Sequence, residues 1–286
     1  MILKPVVVGK VSMSQQRIGT GAYSDVYDGE YDGKHVAVKK FRYCGNDAMK
    51  DMMAEGEIMM ELHHPNIVAC YGCGISVDGY PVLILERAEK SLALFFREEN
   101  LKNVTLTNQE LKRRALQICD AVKYLHDKHI SHGDLSIKNI VVDSNGNFKL
   151  CDFGFAMQIH GTSELDPKHL CTPASAAPEL LSSWMRSLST DVFSVGIILL
   201  ELVLRNSAYS ITNLNKYETP YGYDQYLFIQ DIIHGFRPRL PRDCPQYYAD
   251  IIRSCLVYDG VDPKTKKTFH RPTIDDVISM LNAWES

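Results

Sequence analysis

Strand signals in this chain are confined almost entirely to the first 85 residues, and helix signals dominate from Ser91 onward. In the first part, Asp32-Gly33 is typical of a hairpin turn between two strands, and Pro81 to Glu86 is an apolar strand. Asp47 to Leu62 is predicted as the one main helix, because its apolar residues recur at spacings near 3.6. Strands and helices that are segregated in this way predict an α+β fold.

The second part contains signals for long, buried helices. Thr107-x-x-Glu110 is predicted to form a capping box that opens a helix with five apolar positions on one face. Asn145-Gly146 indicates a hairpin between two short strands. The apolar run that ends at Leu204 predicts a helix buried nearly all round.

Composition limits the classes of function. The 286 residues suit a single domain, and the 45% hydrophobic content can supply a large core. The net charge of −4 and the pI near 6.2 indicate no nucleic-acid or membrane-surface partner. No apolar stretch has transmembrane length, and the N-terminus lacks the apolar core of a signal peptide. The eight cysteines, mostly in apolar segments, predict reduced thiols and a cytoplasmic protein.

Two short segments carry the residue types that phosphoryl transfer needs. His132 to Asn139 places Asp134 beside a histidine and an asparagine five positions after that acid, and Asp152 precedes Phe153-Gly154. A carboxylate can orient an attacking hydroxyl and accept its proton, while an amide oxygen and a second carboxylate can bind Mg²⁺. These segments resemble the H-R-D-L-x-x-x-N and D-F-G signatures of eukaryotic protein kinases, with Gly133 in place of the arginine.

Further segments strengthen this resemblance near the N-terminus. Ile18 to Val26 is similar to the glycine-rich loop, with Ser24 in place of the third glycine. V-A-V-K, ending at Lys39, is close to the V-A-I-K strand of the family. Counting back from the H-P-N-I-V sequence at 64–68 favours Glu55 over Glu57 as the partner of Lys39.

Downstream segments match in the expected order. Cys171 to Glu179 ends in A-P-E and resembles the substrate-binding segment of serine/threonine kinases. Asp191-Val192-Phe193-Ser194 is similar to D-V-W-S, and Arg271 is expected to pair with Glu179. The resemblance extends over residues 19–272.

The resemblance implies a bilobal protein kinase fold, an ATP cofactor with Mg²⁺, and a protein substrate. It predicts a strand-rich N-lobe over 1–85 with one main helix, a hinge over 86–90, and a mainly helical C-lobe over 91–286. Leu85 would then be the gatekeeper behind the adenine. A regulatory partner is compatible with the sequence but is not identified by it. The residues implied to contact the nucleotide are Ile18, Gly19, Gly21, Val26, Ala37, Lys39, Glu86, Ala88 and Val141.

Departures from the family pattern leave alternatives open. Ser136 stands where serine/threonine kinases carry a lysine, and Lys138 stands where tyrosine kinases carry an arginine, so Lys138 is expected to supply the missing charge. The whole pattern is most similar to the tyrosine-kinase-like group, and a serine/threonine acceptor is favoured over tyrosine. A pseudokinase scaffold that binds nucleotide and a small-molecule kinase are the alternatives.

Gly133 also bears on regulation. Without an arginine beside Asp134, a phosphate on the activation segment, Asp152 to Glu179, lacks its usual partner. Phosphorylation at Thr162 or Ser163 is therefore expected to change activity little, unless another cation replaces the arginine. Lys168, Arg42 or another basic side chain could fill that role.

Overall fold

The computed structural model describes residues 11–21, 23–166, 171–210, 212, 214, 218–219, 222–261 and 268–285. The chain forms two compact units, the first from Met1–Lys90 with Val141–Ala156 and the second from Ser91–Ile140 with Met157–Ser286. Strand signals and helix signals separate as predicted, and the α+β fold with a strand-rich N-lobe sheet and a helical C-lobe is confirmed.

The strands are β1 (Val11–Thr20), β2 (Ser24–Tyr31), β3 (Lys34–Phe41), β4 (Cys70–Ile75), β5 (Pro81–Glu86), β6 (Lys90–Ser91), β7 (Ile130–Ser131), β8 (Ile140–Val142), β9 (Phe148–Leu150), β10 (Met157–Gln158), β11 (Glu164–Leu165), β12 (Met185–Arg186), β13 (Glu218–Thr219), β14 (Gly222–Tyr223), β15 (Gly260–Val261) and β16 (Thr268–Phe269). The helices are α1 (Asn46–Met60), α2 (Leu92–Leu101), α3 (Asn108–Asp127), α4 (Pro178–Ser183), α5 (Leu188–Leu204), α6 (Gln225–Ile233), α7 (Gln246–Cys255) and α8 (Ile274–Ala283), and a 3₁₀ turn spans Ile137–Asn139.

A five-stranded sheet forms the body of the first unit, with the strand order β1-β2-β3-β5-β4. The register opposes Val26 to Lys39, Ala37 to Leu85, and Lys39 to Leu83. Because directly opposed residues of an antiparallel pair point to the same face, these five side chains share one face of the sheet. The intervening residues point to the opposite face, where an apolar cluster is formed by Val36, Val38, Val82 and Ile84.

Helix α1 packs against the face that carries Lys39 and Leu83. Gly56 is buried in this contact, and a Cβ added there would lie 3.3 Å from Leu83 Cδ2. The low helix propensity of Gly56 is therefore accompanied by a packing role, because the glycine lets the helix approach the sheet closely. Glu55 is buried and Glu57 is exposed, as their positions around the helix predict.

The segment Val141–Ala156 belongs to the first unit, although the sequence grouped it with residues 91–286. Hydrogen bonds attach its hairpin to the chain after α1. Val68 N–H donates to the Leu150 carbonyl at 2.9 Å, and Asn66 Nδ2 donates to the Phe148 carbonyl at 2.8 Å. Between β8 and β9, the turn predicted at Asn145-Gly146 is present.

Buried helices dominate the second unit. The predicted apolar face of α3 is buried throughout, at Leu111, Ala115, Ile118, Val122 and Leu125. Helix α5 is buried from Thr190 to Leu202, as the apolar run predicts. No helix in the described part of the chain is both long enough and apolar enough to cross a bilayer.

The cap of α3 is only half of what the sequence predicts. Thr107 Oγ1 accepts the N–H of Glu110 at 3.2 Å, so the helix begins where expected. The Glu110 carboxylate does not complete a capping box, because it accepts hydrogen bonds from Arg113 and Arg114 instead. Two guanidinium partners offer stronger, charge-assisted bonds than one backbone N–H.

Candidate active site

Lys39 lies between two carboxylates in the first unit. Its Nζ is 2.7 Å from Glu55 Oε1, 2.8 Å from Glu55 Oε2 and 2.7 Å from Asp152 Oδ1. The ion pair of Lys39 with Glu55 that the spacing predicts is thus present. Burial works to lower the pKa of Lys39, but the two carboxylates outweigh it and raise that pKa above its ordinary value. The ammonium group is therefore held in its charged form, as contact with phosphate oxygens requires.

The two carboxylates around Lys39 differ in exposure. The Glu55 side chain is 1% exposed and the Asp152 side chain is 36% exposed. Burial raises the pKa of Glu55, while Lys39 counteracts that effect. Asp152 has a φ of 62°, a left-handed conformation that is uncommon for a residue with a side chain and is found preferentially at functional sites. Glu55 can serve as a permanent partner of the lysine, and Asp152 remains accessible to a cation.

The glycine-rich segment is a hairpin between β1 and β2. Gly19 opposes Val26 in the register, and Gly21 N–H donates to the Ser24 carbonyl at 2.8 Å. Because Val26 in turn opposes Lys39, the predicted nucleotide residues Gly19, Val26 and Ala37 follow one another across the sheet face that carries Lys39. Ile18, the residue before Gly19, lies in the same strand and is partly buried.

The predicted adenine contacts lie at and after the end of β5. Leu85 is 6% exposed and shares the Lys39 face of the sheet, the place expected of a gatekeeper. The side chain of Glu86 is engaged within the unit, because it accepts the Ala69 N–H at 3.1 Å and pairs with Lys149 at 2.8 Å. Any nucleotide contact of Glu86 is therefore expected from its backbone. The other two predicted contacts, Ala88 and Val141, also belong to the first unit.

Asp134 is the centre of a second group of polar residues, in the second unit. Its Oδ1 accepts the Thr172 N–H at 3.0 Å, and its Oδ2 accepts Asn139 Nδ2 at 2.9 Å. The carboxylate is thus held by both oxygens while the residue remains partly exposed. A carboxylate that is oriented in this way and open to solvent can act on an incoming hydroxyl.

Asn139 is suited to hold a hard cation. Its amide Nδ2 donates to the Asp134 carbonyl at 2.8 Å and to Asp134 Oδ2 at 2.9 Å. With both amide hydrogens engaged, the carbonyl oxygen is the atom left for a ligand. Magnesium binds through oxygen and usually takes only one or two protein ligands together with substrate phosphates. The amide oxygen of Asn139 is of that ligand type, and so is the partly exposed carboxylate of Asp152 in the first unit.

Asp191 organises the backbone before Asp134, and the sequence motif alone did not assign it this role. It accepts hydrogen bonds from His132 N–H at 2.8 Å, from Gly133 N–H at 3.1 Å and from Ser131 Oγ at 3.1 Å. Burial opposes ionisation of Asp191, but His126 at 3.2 Å and the other donors lower its pKa below the ordinary value. Asp191 is therefore a buried, charged anchor for the loop that carries Asp134.

Lys138 is exposed on the 3₁₀ turn, and its charge acts on the buried carboxylate of Glu201. Ser136, the position where serine/threonine kinases carry a lysine, is buried. A role of Lys138 at the transferring phosphate stays a prediction.

The expected pair between Arg271 and Glu179 is present and bidentate. Arg271 Nη1 is 2.7 Å from Glu179 Oε1, and Nη2 is 3.2 Å from Oε2. Arg271 also donates to the carbonyls of Ser189 and Val257. The pair joins the start of α4 to the segment before α8.

Comparisons with known proteins agree with this geometry. The family model of the protein kinase domain matches residues 13–278. R826 of Acanthamoeba polyphaga mimivirus, named as a candidate serine/threonine-protein kinase/receptor, is 30% identical over 95% of this chain. The probable serine/threonine-protein kinases kinX of Dictyostelium discoideum and SIS8 of Arabidopsis thaliana are 29% and 35% identical over 88% and 65% of this chain.

This chain spans only 15%, 22% and 18% of the lengths of R826, kinX and SIS8. The similarity therefore concerns one domain of each relative. The family model matches nearly the whole of this chain, and the signature residues make the contacts described above. The chain belongs to the protein kinase domain family.

Proposed function

We propose that the chain is an ATP-dependent protein kinase that transfers the γ-phosphoryl group to a serine or threonine hydroxyl of a protein substrate. The observation that carries the proposal is the fixed carboxylate of Asp134, which Thr172 and Asn139 hold by separate oxygens. Phosphoryl transfer depends mainly on positioning and electrostatic stabilisation, so a rigid carboxylate that remains accessible is the central requirement.

The other residues divide the remaining work. Lys39, held by Glu55, would position the nucleotide phosphates, and Asn139 and Asp152 would supply oxygen ligands to Mg²⁺. Bound Mg²⁺-ATP would supply the phosphoryl group and neutralise part of its charge. Asp134 would orient the acceptor hydroxyl and accept its proton. Support for this division comes from the charged state of Lys39 and from the free amide oxygen of Asn139.

The acceptor is inferred from the relatives and from the sequence. R826, kinX and SIS8 all carry serine/threonine kinase names, although this chain spans a minor part of each. We propose further that the chain falls in the tyrosine-kinase-like group, because its catalytic loop combines Ser136 and Lys138 with a serine/threonine-type segment at Cys171 to Pro173.

The experiment is a transfer assay on arrays of serine, threonine and tyrosine peptides, with purified protein, labelled ATP and Mg²⁺. Label on serine or threonine is expected. Asp152→Asn is the matched control and should lose Mg²⁺-dependent nucleotide binding and transfer together. ATP binding without any turnover would overturn the proposal in favour of a pseudokinase, and label on tyrosine alone would overturn the acceptor assignment.

We also propose a cytoplasmic location. The eight cysteines are all free thiols in the structure, which is typical of a reducing compartment. Imaging of a fluorescent fusion in eukaryotic cells tests this, and accumulation in a secretory compartment would contradict it.

A further inference from the structure

The space beside Gly133 is filled by a guanidinium group from another part of the chain. Gly133 has a φ of 78°, and a Cβ added to it would overlap Cζ and both terminal nitrogens of Arg186. Arg186 follows α4 in strand β12 and is 1% exposed. The position where related kinases carry an arginine therefore has no side chain, and a different arginine occupies the adjoining volume.

Arg186 is paired with an acid of the activation segment. Its Nη2 donates to Asp166 Oδ2, and both side chains are almost fully buried. The backbone reinforces the pair, because Asp166 N–H donates to the Trp184 carbonyl at 2.8 Å. Strand β11, which precedes Asp166, is hydrogen-bonded to β12 with Glu164 opposite Arg186. A permanent carboxylate thus binds the cation that lies beside the catalytic loop.

The buried pair lies next to the segment that holds Asp134. Burial raises the pKa of Cys171 to about 12, and the charges of Asp134, Arg186 and Asp166 all act on its thiol. Cys171 lines one small cavity together with Gly133, Asp134 and Thr172. The next residue, Thr172, donates its N–H to Asp134 Oδ1 at 3.0 Å. Arg186 of the pair therefore lies beside Gly133, a residue that shares this cavity with Thr172 and the catalytic carboxylate of Asp134.

The sequence suggests Arg42 and Lys168 as other cations for this role, and Arg42 is engaged elsewhere. Arg42 donates to Asp25 within the first unit, at 3.0 and 2.8 Å. Lys168 lies outside the described residues. Thr162 and Ser163, the predicted phosphorylation sites, are exposed and lie just before β11.

We propose that Arg186 and Asp166 are positioning residues, and that their ion pair replaces the phosphate-dependent contact of related kinases and holds Thr172 against Asp134 in the unphosphorylated protein. Arg186 takes the place of the arginine missing at Gly133, and Asp166 takes the place of the phosphate. This inference rests on the proposed kinase function. It predicts an enzyme in which Thr172 is held against Asp134 without modification of the protein.

The test compares Asp166→Asn with Glu99→Gln in the full chain. Glu99 forms a comparable buried pair with Arg114 in α2 and α3 of the same unit. Both substitutions remove one charge of a buried pair, so both should lower the melting temperature. Only Asp166→Asn should lower kcat by tenfold or more, with the KM for ATP within twofold of the parent, whereas Glu99→Gln should keep the parental kcat.

Amide hydrogen exchange at Thr172 supplies a readout that does not require activity. Exchange should be at least tenfold faster in Asp166→Asn and unchanged in Glu99→Gln. Arg186→Lys keeps the charge but loses the planar guanidinium group, so it should show the same changes to a smaller extent. This variant replaces Asp166→Asn in the experiment if Asp166→Asn does not fold. Parental kcat and parental exchange at Thr172 in these variants would overturn the proposal.

Phosphatase treatment completes the experiment. The treated parent should keep its initial rate within twofold, and a tenfold loss that incubation with ATP restores would overturn the proposal. If the parent transfers no phosphate to any peptide, the kinase function fails, and the exchange rates at Thr172 still decide whether the pair positions this segment.

Discussion

Replacing Glu201 with glutamine is expected to remove a pH dependence from the stability of the protein. Glu201 lies in α5, is 7% exposed, and accepts the Ala208 N–H at 3.1 Å. Burial raises its pKa from 4.5 to about 7, although Ala208, Lys138 and Ile137 act in the opposite direction. The folded protein therefore keeps this carboxyl group protonated at pH values where the unfolded chain has already lost the proton.

The sign and the size of the effect follow from this difference. Between pH 4.5 and about pH 7, unfolding releases the proton of Glu201, so rising pH favours the unfolded state. Each pH unit contributes about 1.4 kcal/mol, so the free energy of unfolding should fall by about 3 kcal/mol across the window. Below pH 4.5, Glu201 does not lower the free energy of unfolding. Above about pH 7, the free energy of unfolding is lowered by the full amount.

Urea unfolding at a series of pH values from 4.5 to 8 measures this effect. Glutamine keeps the size and an acceptor oxygen for Ala208 but does not titrate. The unfolding free energy of the parent minus that of Glu201→Gln should fall by about 3 kcal/mol across the series. Glu57→Gln serves as the control for replacing a glutamate that is exposed instead of buried. A constant difference between the parent and Glu201→Gln would refute the reasoning.

Three other substitutions have definite expectations. Gly196→Ala should lower the free energy of unfolding by about 1–3 kcal/mol, because the added Cβ would lie 2.6 Å from Cys255 Cβ in the core. A melting temperature equal to that of the parent would contradict this expectation. Arg271→Gln should lower the free energy of unfolding by about 3–5 kcal/mol, because it leaves the Glu179 carboxylate without its bidentate partner. A loss below about 1 kcal/mol in urea unfolding would contradict a stabilising role of the Arg271–Glu179 pair. Lys138→Ala should lower kcat by roughly 10²-fold, the effect of removing one donor to a developing charge; steady-state rates within twofold of the parent would show that Lys138 is merely solvated.

The parts of the site that sequence could predict are those where local spacing determines geometry. Lys39 is in a strand whose register follows from the turn at Asp32-Gly33, and Glu55 and Glu57 point to different sides of one helix. The choice of Glu55 came from its distance to the H-P-N-I-V sequence at 64–68 that resembles the family, and the 3.6-residue period then placed Glu57 on another side of the helix. The bond between Arg271 and Glu179 was expected only because both residues match positions that pair in the family.

Other contacts had no local signal. Arg186 and Asp166 are 20 residues apart and belong to no motif, so only the folded backbone shows that they meet beside Gly133. Glu110 matched a capping box by spacing, yet nearby arginines competed successfully for its carboxylate. Gly56 has a low helix propensity, and its burial against Leu83 gives a packing reason for the glycine. Tertiary contacts thus account for the Arg186–Asp166 pair and for Gly56, whereas at Glu110 one local interaction prevailed over another.

Steady-state kinetics of Asp134→Asn decide whether Asp134 is the catalytic carboxylate of a protein kinase. Asparagine keeps an acceptor for the Thr172 N–H but cannot take the proton of the acceptor hydroxyl. With Mg²⁺ and ATP, kcat should fall by roughly 10²-fold or more, while ATP affinity measured by calorimetry should remain nearly unchanged. Turnover close to that of the parent would contradict the assignment.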